Sequence, residues 1–137
     1  MSILYRPARA EDLQRAGELV AASINELCGR HGFGPMAAVR PPMFSRFSLE
    51  DDPDGLWVAE DAGKILGFAF SWACGDLWFL AQLFVSPDRQ GHGIGPALLH
   101  VLSRWSALAR LCRNLECPTE SSVSDSQSRR TNSRSPV

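Results

Sequence analysis

The feature that most constrains this fold is an almost unbroken apolar run that passes into a glycine-rich loop and then into a helix. The run extends from Leu77 to Val85, and Gln82 is its one strongly polar residue. Continuous apolar sequence of this length is typical of a central strand covered on both faces. A proline-containing segment ends the run, and an amphipathic helix begins near Gly95. The sequence therefore predicts a buried strand, a tight loop and a helix N-terminus in immediate succession.

Hydrophobic periodicity predicts the remaining elements. A short strand lies between Ile3 and Pro7, and a helix with an apolar stripe follows from Ala10. Glycines and prolines interrupt residues 31–47, which predicts a loop with a short helix. That loop either forms one wall of a substrate site or is an ordinary surface loop. Residues 56–60 and 64–72 predict a hairpin. Strands and helices in one domain give an α/β fold class.

The second strand of the hairpin has one bulky and one small face. Alternate residues of a strand point to the same side. Phe68 and Phe70 therefore share one face, and Gly67 and Ala69 share the other. This pattern predicts a helix packed closely against the small face.

Composition limits the class of protein. The chain of 137 residues suits one domain, and a formal net charge of -1 gives no basis for binding nucleic acid or an anionic membrane. The longest apolar run is too short to span a bilayer, and the first residues lack the pattern of a signal peptide. Four cysteines occur without metal-ligand spacing, so we expect no metal site and reduced thiols in a cytoplasmic protein.

Composition changes near residue 113. Residues 114–137 are rich in serine and almost lack large apolar side chains. Such a segment buries too little apolar area to offset the entropy of ordering. We therefore predict a domain over residues 1–113 and a disordered tail over residues 114–137.

The loop after the apolar run has the composition of an anion site. Glycines let consecutive backbone N–H groups converge on one point, and the helix N-terminus adds unsatisfied donors and a favourable dipole. A Walker loop is excluded because Gly95 is not followed by lysine, and Pro96 occupies the third glycine position of the dinucleotide fingerprint. The pattern Q/R-x-x-G-x-G/A fits Gln90, Gly93 and Gly95. The alternative to an anion site is a tight connection between strand and helix, in which the glycines serve turn geometry alone.

With the preceding strand and the following helix, this pattern resembles the GNAT N-acetyltransferase family over about residues 2–112. The resemblance implies a GNAT-like acyl-CoA N-acyltransferase fold with a mixed sheet, and acetyl-CoA as co-substrate. It implies that the main chain of Leu83, Phe84 and Val85 forms hydrogen bonds with the pantetheine arm of CoA. The segment implied to hold the pyrophosphate through its amides comprises Gln90, Gly91, His92, Gly93, Ile94, Gly95 and Pro96.

The chain also departs from the family pattern. Pro96 lacks an N–H, and Tyr5 is the only tyrosine, although family members often use a late tyrosine as acid. Gln82 either lines the acceptor site or is hydrogen-bonded structurally, and no general base or acid is identified. The late strand, helix and closing hairpin of the family have no counterpart in the serine-rich tail, which suggests truncation or an altered reading frame.

Two functions are compatible with these observations. One is an N-acetyltransferase acting on a small-molecule or peptide amine of unknown identity. The other is a catalytically inactive remnant that binds CoA or dimerises. Without a further strand, the edge of the central strand would be exposed and would favour a homodimer.

Overall fold

The computed structural model describes residues 2–74 and 77–116, with side chains described as far as Ser106. The last helix extends to Glu116, three residues into the predicted tail, and the rest of that tail, residues 117–137, lies outside the described residues. Short 3-10 turns occupy Ala10–Asp12, Pro53–Gly55 and Pro87–Arg89. The helices and strands are β1 (Leu4–Pro7), α1 (Leu13–Arg30), α2 (Met43–Asp51), β2 (Leu56–Asp61), β3 (Lys64–Cys74), β4 (Leu77–Val85) and α3 (Ile94–Glu116).

The strands form one sheet in the order β1-β2-β3-β4, and every pairing is antiparallel. The predicted hairpin is β2–β3, joined at Asp61 and Lys64. The predicted α/β class is confirmed, and the pairings within the described sheet are antiparallel throughout. None of the described helices has the length and apolar character needed to cross a membrane.

Two apolar layers cover the sheet. On one face, Leu13 and Ala16 of α1 pack with Val58 and Phe68. On the other face, α3 packs against β2 and β3, and its fully buried contacts include Leu98 and Leu102. Each such side chain contributes roughly 1.5–3 kcal/mol when fully buried.

The small face of β3 receives α3, as predicted. A Cβ placed on Gly67 would lie 2.7 Å from Leu98 Cδ1 and 3.1 Å from Ile94 Cγ2. Real Cβ atoms essentially never approach a heavy atom as closely as the first distance. Glycine at position 67 is therefore what lets the start of α3 lie directly on the sheet.

A buried ion cluster joins β1, β2 and the start of α1. The Asp12 side chain is fully buried, and Arg6 donates to both of its oxygens at 2.6 and 3.0 Å. The Arg9 backbone N–H and Arg15 donate to the same carboxylate at 2.8 and 3.1 Å, and Glu60 accepts from Arg6 at 2.7 Å. The hydrogen bond from Arg6 holds the pKa of Asp12 below its usual value, and burial opposes that shift.

Strand β4 differs from its prediction. Within the described sheet it is an edge strand with β3 as its partner. Leu77, Phe79 and Leu80 are 62%, 40% and 37% exposed. The expectation that both faces are covered is therefore wrong for the first half of β4, because nothing in the described part of the chain continues the sheet beyond it.

Candidate functional site

Strand β4 contains a β-bulge in front of the residues implicated by sequence. Phe70 pairs with Gln82, but the next residue, Ser71, pairs with Leu80, which leaves Ala81 as an extra residue. A bulge bends the strand and re-aims its side chains, and bulges are common beside active sites. The bulge separates the exposed first half of β4 from Leu83–Val85. Sequence reasoning missed it, because an extra residue in an apolar run leaves no signal.

Leu83, Phe84 and Val85 are paired with Ala69, Phe68 and Gly67 of β3. Leu83 and Val85 pack against the apolar layer beneath α3. The side chains of Leu83 and Val85 are thus partly buried against the protein. Any ligand contact from these residues would come from the main chain along the open edge.

Side-chain hydrogen bonds tie the loop after β4 to the strand end. The Gln90 Nε2 donates to the Val85 carbonyl oxygen at 3.1 Å. The His92 Nδ1 lies 3.1 Å from the Arg89 carbonyl oxygen and 3.0 Å from that of Gln90. Because both partners are acceptors, Nδ1 carries the hydrogen. Through these two contacts the ring holds the backbone of the loop. The sequence placed His92 in the binding segment but did not indicate these contacts.

The backbone of this loop has the form of an anion-binding nest. φ is +81° at Gly91 and at Gly93, and His92 between them does not share this positive φ. Successive residues of opposite hand turn their N–H groups toward one concavity. Among the described residues, no backbone carbonyl accepts a hydrogen bond from the N–H groups of residues 91–95. These donors are therefore available to a ligand.

Helix α3 starts at the end of this nest. Ile94 is its first residue, and the Ala97 N–H donates to the Gly93 carbonyl at 3.2 Å. The side chain of Ile94 is 1% exposed and belongs to the core, so only its N–H can reach a ligand. Pro96 is the third residue of the helix and supplies no N–H. The N-terminus thus adds the donors of Ile94 and Gly95 and the positive end of the helix dipole.

The acidic residue beside the nest is held by its neighbour. The Ser86 hydroxyl donates to the Asp88 carboxylate. This bond lowers the pKa of Asp88 below its ordinary value. The Ser86 N–H donates to the Leu66 carbonyl at 2.8 Å and fixes the start of the loop against β3.

A separate groove of about 220 Å³ opens on the α1 side of the sheet. Part of the segment 31–47 forms one wall of this groove, and Gln82 also lines it. Asn25 of α1 holds that wall by accepting from the N–H groups of Met36 and Ala37, each at 2.8 Å. The lining consists of Leu13, Gly17, Val20, Ala38, Arg40, Pro41, Pro42, Phe44, Ser45, Phe68, Phe70 and Gln82.

The groove is apolar with few polar groups. Gln82 comes from β4, one residue before Leu83, so the groove adjoins the implicated stretch of the strand. No carboxylate belongs to the lining in the described part of the chain. Tyr5 lies elsewhere, against the α3 layer. No cluster of three or more His, Cys, Asp or Glu side chains suited to a metal ion occurs among residues 2–74 and 77–116.

Comparison with known protein families identifies this region. Residues 52–131, more than half of the chain, match the family profile described as an acetyltransferase (GNAT) domain. The match begins before β2 and includes β4, the loop and α3. No curated protein sequence matches the chain significantly.

Solved structures share the fold. One is the diaminobutyrate acetyltransferase of Paenibacillus lautus, in complex with L-2,4-diaminobutyric acid and coenzyme A (22% identity, TM-score 0.61, covering 80% of this chain and 61% of that one). Another is a GNAT family acetyltransferase of Brucella melitensis in complex with acetyl-CoA (20%, 0.53, 78% and 70%). A third is the N-acetylglutamate synthase of Neisseria gonorrhoeae, complexed with coenzyme A and N-acetyl-glutamate (22%, 0.52, 79% and 23%). The chain thus spans less than two thirds of the first and third proteins.

Proposed function

The chain belongs to the GNAT acetyltransferase family, and we propose that it transfers an acetyl group from acetyl-CoA to an amine. Structures of the same fold contain coenzyme A or acetyl-CoA. Two of them also contain amino acid ligands, diaminobutyric acid and N-acetyl-glutamate. These similarities support a small-molecule acceptor, and the identity of that acceptor is a separate question.

The observation that carries the proposal is the nest between Gln90 and Gly95. Three features of this nest suit a diphosphate such as that of CoA: its free N–H groups, the alternating sign of φ along its backbone, and the start of α3. Neutral backbone donors bind an anion without a lysine or arginine. Gln90 and His92 act as positioning residues, since their side chains hold the loop rather than face the nest.

The pantetheine arm would run along the open edge of β4. Leu83–Val85 pair with β3 on one side. In the described part of the chain no strand pairs with their other side. An extended amide-containing arm can form hydrogen bonds to such an edge as an added strand does. This placement brings the thioester to the level of Gln82 and thus beside the groove.

The acceptor amine would enter the groove on the α1 side. The Gln82 side chain has no hydrogen-bond partner among the described residues, and its carbonyl oxygen can accept from the amine and orient the lone pair. Acetyl-CoA supplies the activated acyl group. Since no carboxylate lines the described groove, we propose that the amine loses its proton to water rather than to a side chain.

Two measurements test the function. Calorimetric titration with acetyl-CoA should show saturable binding, and free-thiol release over a panel of amines should then show turnover with at least one of them. Binding without release from any amine would leave the non-catalytic CoA-binding alternative. Absence of binding would contradict both the nest assignment and the transfer reaction.

We also propose that the chain is cytoplasmic and that its exposed strand forms a homodimer. Cys28 and Cys74 are free thiols, as expected in a reducing compartment. The first half of β4 exposes Leu77 and Leu80 at a sheet edge, an arrangement that favours pairing with another copy. Light scattering of the native chain and of Leu80→Lys should show a loss of dimer in the variant. A monomeric native chain would contradict the dimer.

A further inference from the structure

We infer that the acceptor is an α-amino acid with an apolar side chain, bound with its carboxylate on Arg40 and its amine on Gln82. This inference rests on the proposed function, because it names the substrate of the groove beside β4. It follows from three properties of that groove: its charge, its aromatic wall and its size.

The charge in the groove is positive and unpaired. Arg40 is the one charged residue of the described lining. Its exposed guanidinium has no ion-pair or hydrogen-bond partner among the residues that the structure describes. The same holds for Arg46 and Arg104, but of these three arginines Arg40 alone lines the groove. A planar guanidinium binds a carboxylate through two parallel hydrogen bonds. An acceptor that carries a carboxylate therefore matches the groove, and a polyamine, which carries further cations and no anion, does not.

An aromatic wall faces the same groove. The ring of Phe44 meets Phe70 at 5.9 Å and Trp72 at 5.0 Å between centroids, both edge-on. Despite these contacts Phe44 is 54% exposed. A rigid, partly exposed aromatic surface beside an arginine is suited to a ligand with an apolar body and an anionic end. An amino acid with an aromatic or large aliphatic side chain has this shape.

The volume of the groove sets an upper limit on the size of the acceptor. This volume of about 220 Å³ is below the roughly 300–1,000 Å³ of pockets that enclose drug-sized ligands. The wall that carries Arg40 is held by Asn25 through Met36 and Ala37. Because the wall is already positioned, binding does not require ordering of that segment, and the volume suits a ligand as small as a single amino acid.

Direct binding tests this inference without depending on turnover. L-phenylalanine, L-phenylalaninamide and spermidine are titrated calorimetrically into the full chain. We expect L-phenylalanine to bind about tenfold more tightly than the amide, which lacks the carboxylate, and spermidine to bind most weakly. Equal or tighter binding of the amide, tightest binding of spermidine, or no binding of L-phenylalanine would overturn the inference.

Variants locate the contacts. Arg40→Gln should abolish the preference for L-phenylalanine over its amide. Arg46→Gln is the matched control, because Arg46 is an exposed arginine that lines a neighbouring groove with Pro41 and Pro42, and it should keep the preference. Phe44→Ala should lower the affinity for both L-phenylalanine and its amide about fivefold. Loss of preference in Arg46→Gln, or its retention in Arg40→Gln, would contradict the assignment.

The two proposals can fail separately. If acetyl-CoA binds and its acetyl group is transferred to spermidine in preference to L-phenylalanine, the transfer reaction survives and the amino acid assignment is wrong. If L-phenylalanine binds through Arg40 but acetyl-CoA does not bind, the groove assignment survives and the transfer reaction is wrong.

Discussion

The contact between β3 and α3 and the loop that follows β4 both depend on glycine, but for opposite reasons. At Gly67 an added Cβ would meet Leu98 Cδ1 at 2.7 Å, so a side chain at this position would force the packed Leu98 to shift. At Gly93 an added Cβ would meet nothing within 4 Å. Packing therefore explains the first glycine and does not explain the second.

Under the proposed function, the difference separates residues that build the scaffold from residues that would bind acetyl-CoA. Gly93 adopts a φ of +81°, which gives it a conformational role. The open space above it is where a bound anion would lie. Changes in the scaffold should therefore lower the free energy of unfolding, whereas changes in the loop should lower affinity for acetyl-CoA.

The largest effect is expected in the scaffold at Asp12. Asp12→Asn replaces one acceptor oxygen of the buried carboxylate by an NH₂ donor and leaves Glu60 as the remaining anionic partner of Arg6. It should lower the free energy of unfolding by about 3 kcal/mol, the lower end of the range for a broken buried ion pair. Urea unfolding at neutral pH measures this loss. A change below about 1 kcal/mol would show that the cluster contributes no more than a surface ion pair.

The same variant should alter the dependence of stability on pH. The pKa of Asp12 is lower in the folded chain than in the unfolded chain, so its contribution is complete above the unfolded value of about 3.9 and is lost as the pH falls through the folded value. Asp12→Asn should therefore unfold with a flatter acid limb below about pH 4. An unchanged acid limb would show that other carboxylates cause the loss of stability at low pH.

A smaller loss is expected at the contact between β3 and α3. Gly67→Val places its side chain against Leu98 and Ile94, which are fully buried and have little room to move. The free energy of unfolding should fall by roughly 1–3 kcal/mol. Thermal unfolding of this variant and of Gly17→Val, where an added Cβ meets nothing within 4 Å, distinguishes overpacking from the general effect of valine in place of glycine.

The smallest effect on stability is expected at Gly95. An added Cβ would make an ordinary contact of 3.7 Å with Val85 Cγ2, so Gly95→Ala should keep the free energy of unfolding within about 0.5 kcal/mol. Acetyl-CoA affinity should nevertheless fall about tenfold, because the methyl group limits the approach of a phosphate to the backbone. Unchanged affinity would show that the ligand does not pass close to Gly95.

Sequence patterns predicted those features of the fold that depend on neighbouring residues. The alternation from Gly67 to Phe70 correctly indicated a helix on the small face of β3, and the glycines after Val85 correctly placed a loop before α3. In both cases the residues that form the feature are adjacent in the chain. Local periodicity and turn chemistry are therefore sufficient for them.

Features that depend on distant partners escaped prediction. Asp12 lies at the centre of a buried cluster with Arg6 and Glu60, and its neighbours in the sequence do not indicate this. The bulge in β4 depends on its pairing with β3. The groove with Arg40 combines two helices, a loop and two strands. No single stretch of sequence contains these contacts.

The most direct test of the nest compares Gly93→Val with Gly63→Val. Both glycines have a φ of +81° and open space for a side chain, but Gly63 lies in the turn between β2 and β3. The two variants should lose similar stability, about 1–2 kcal/mol from the left-handed backbone. Calorimetry with acetyl-CoA should show about a hundredfold loss of affinity for Gly93→Val and native affinity for Gly63→Val. Native affinity in Gly93→Val, or an equal loss in both variants, would contradict the binding of a diphosphate by this loop.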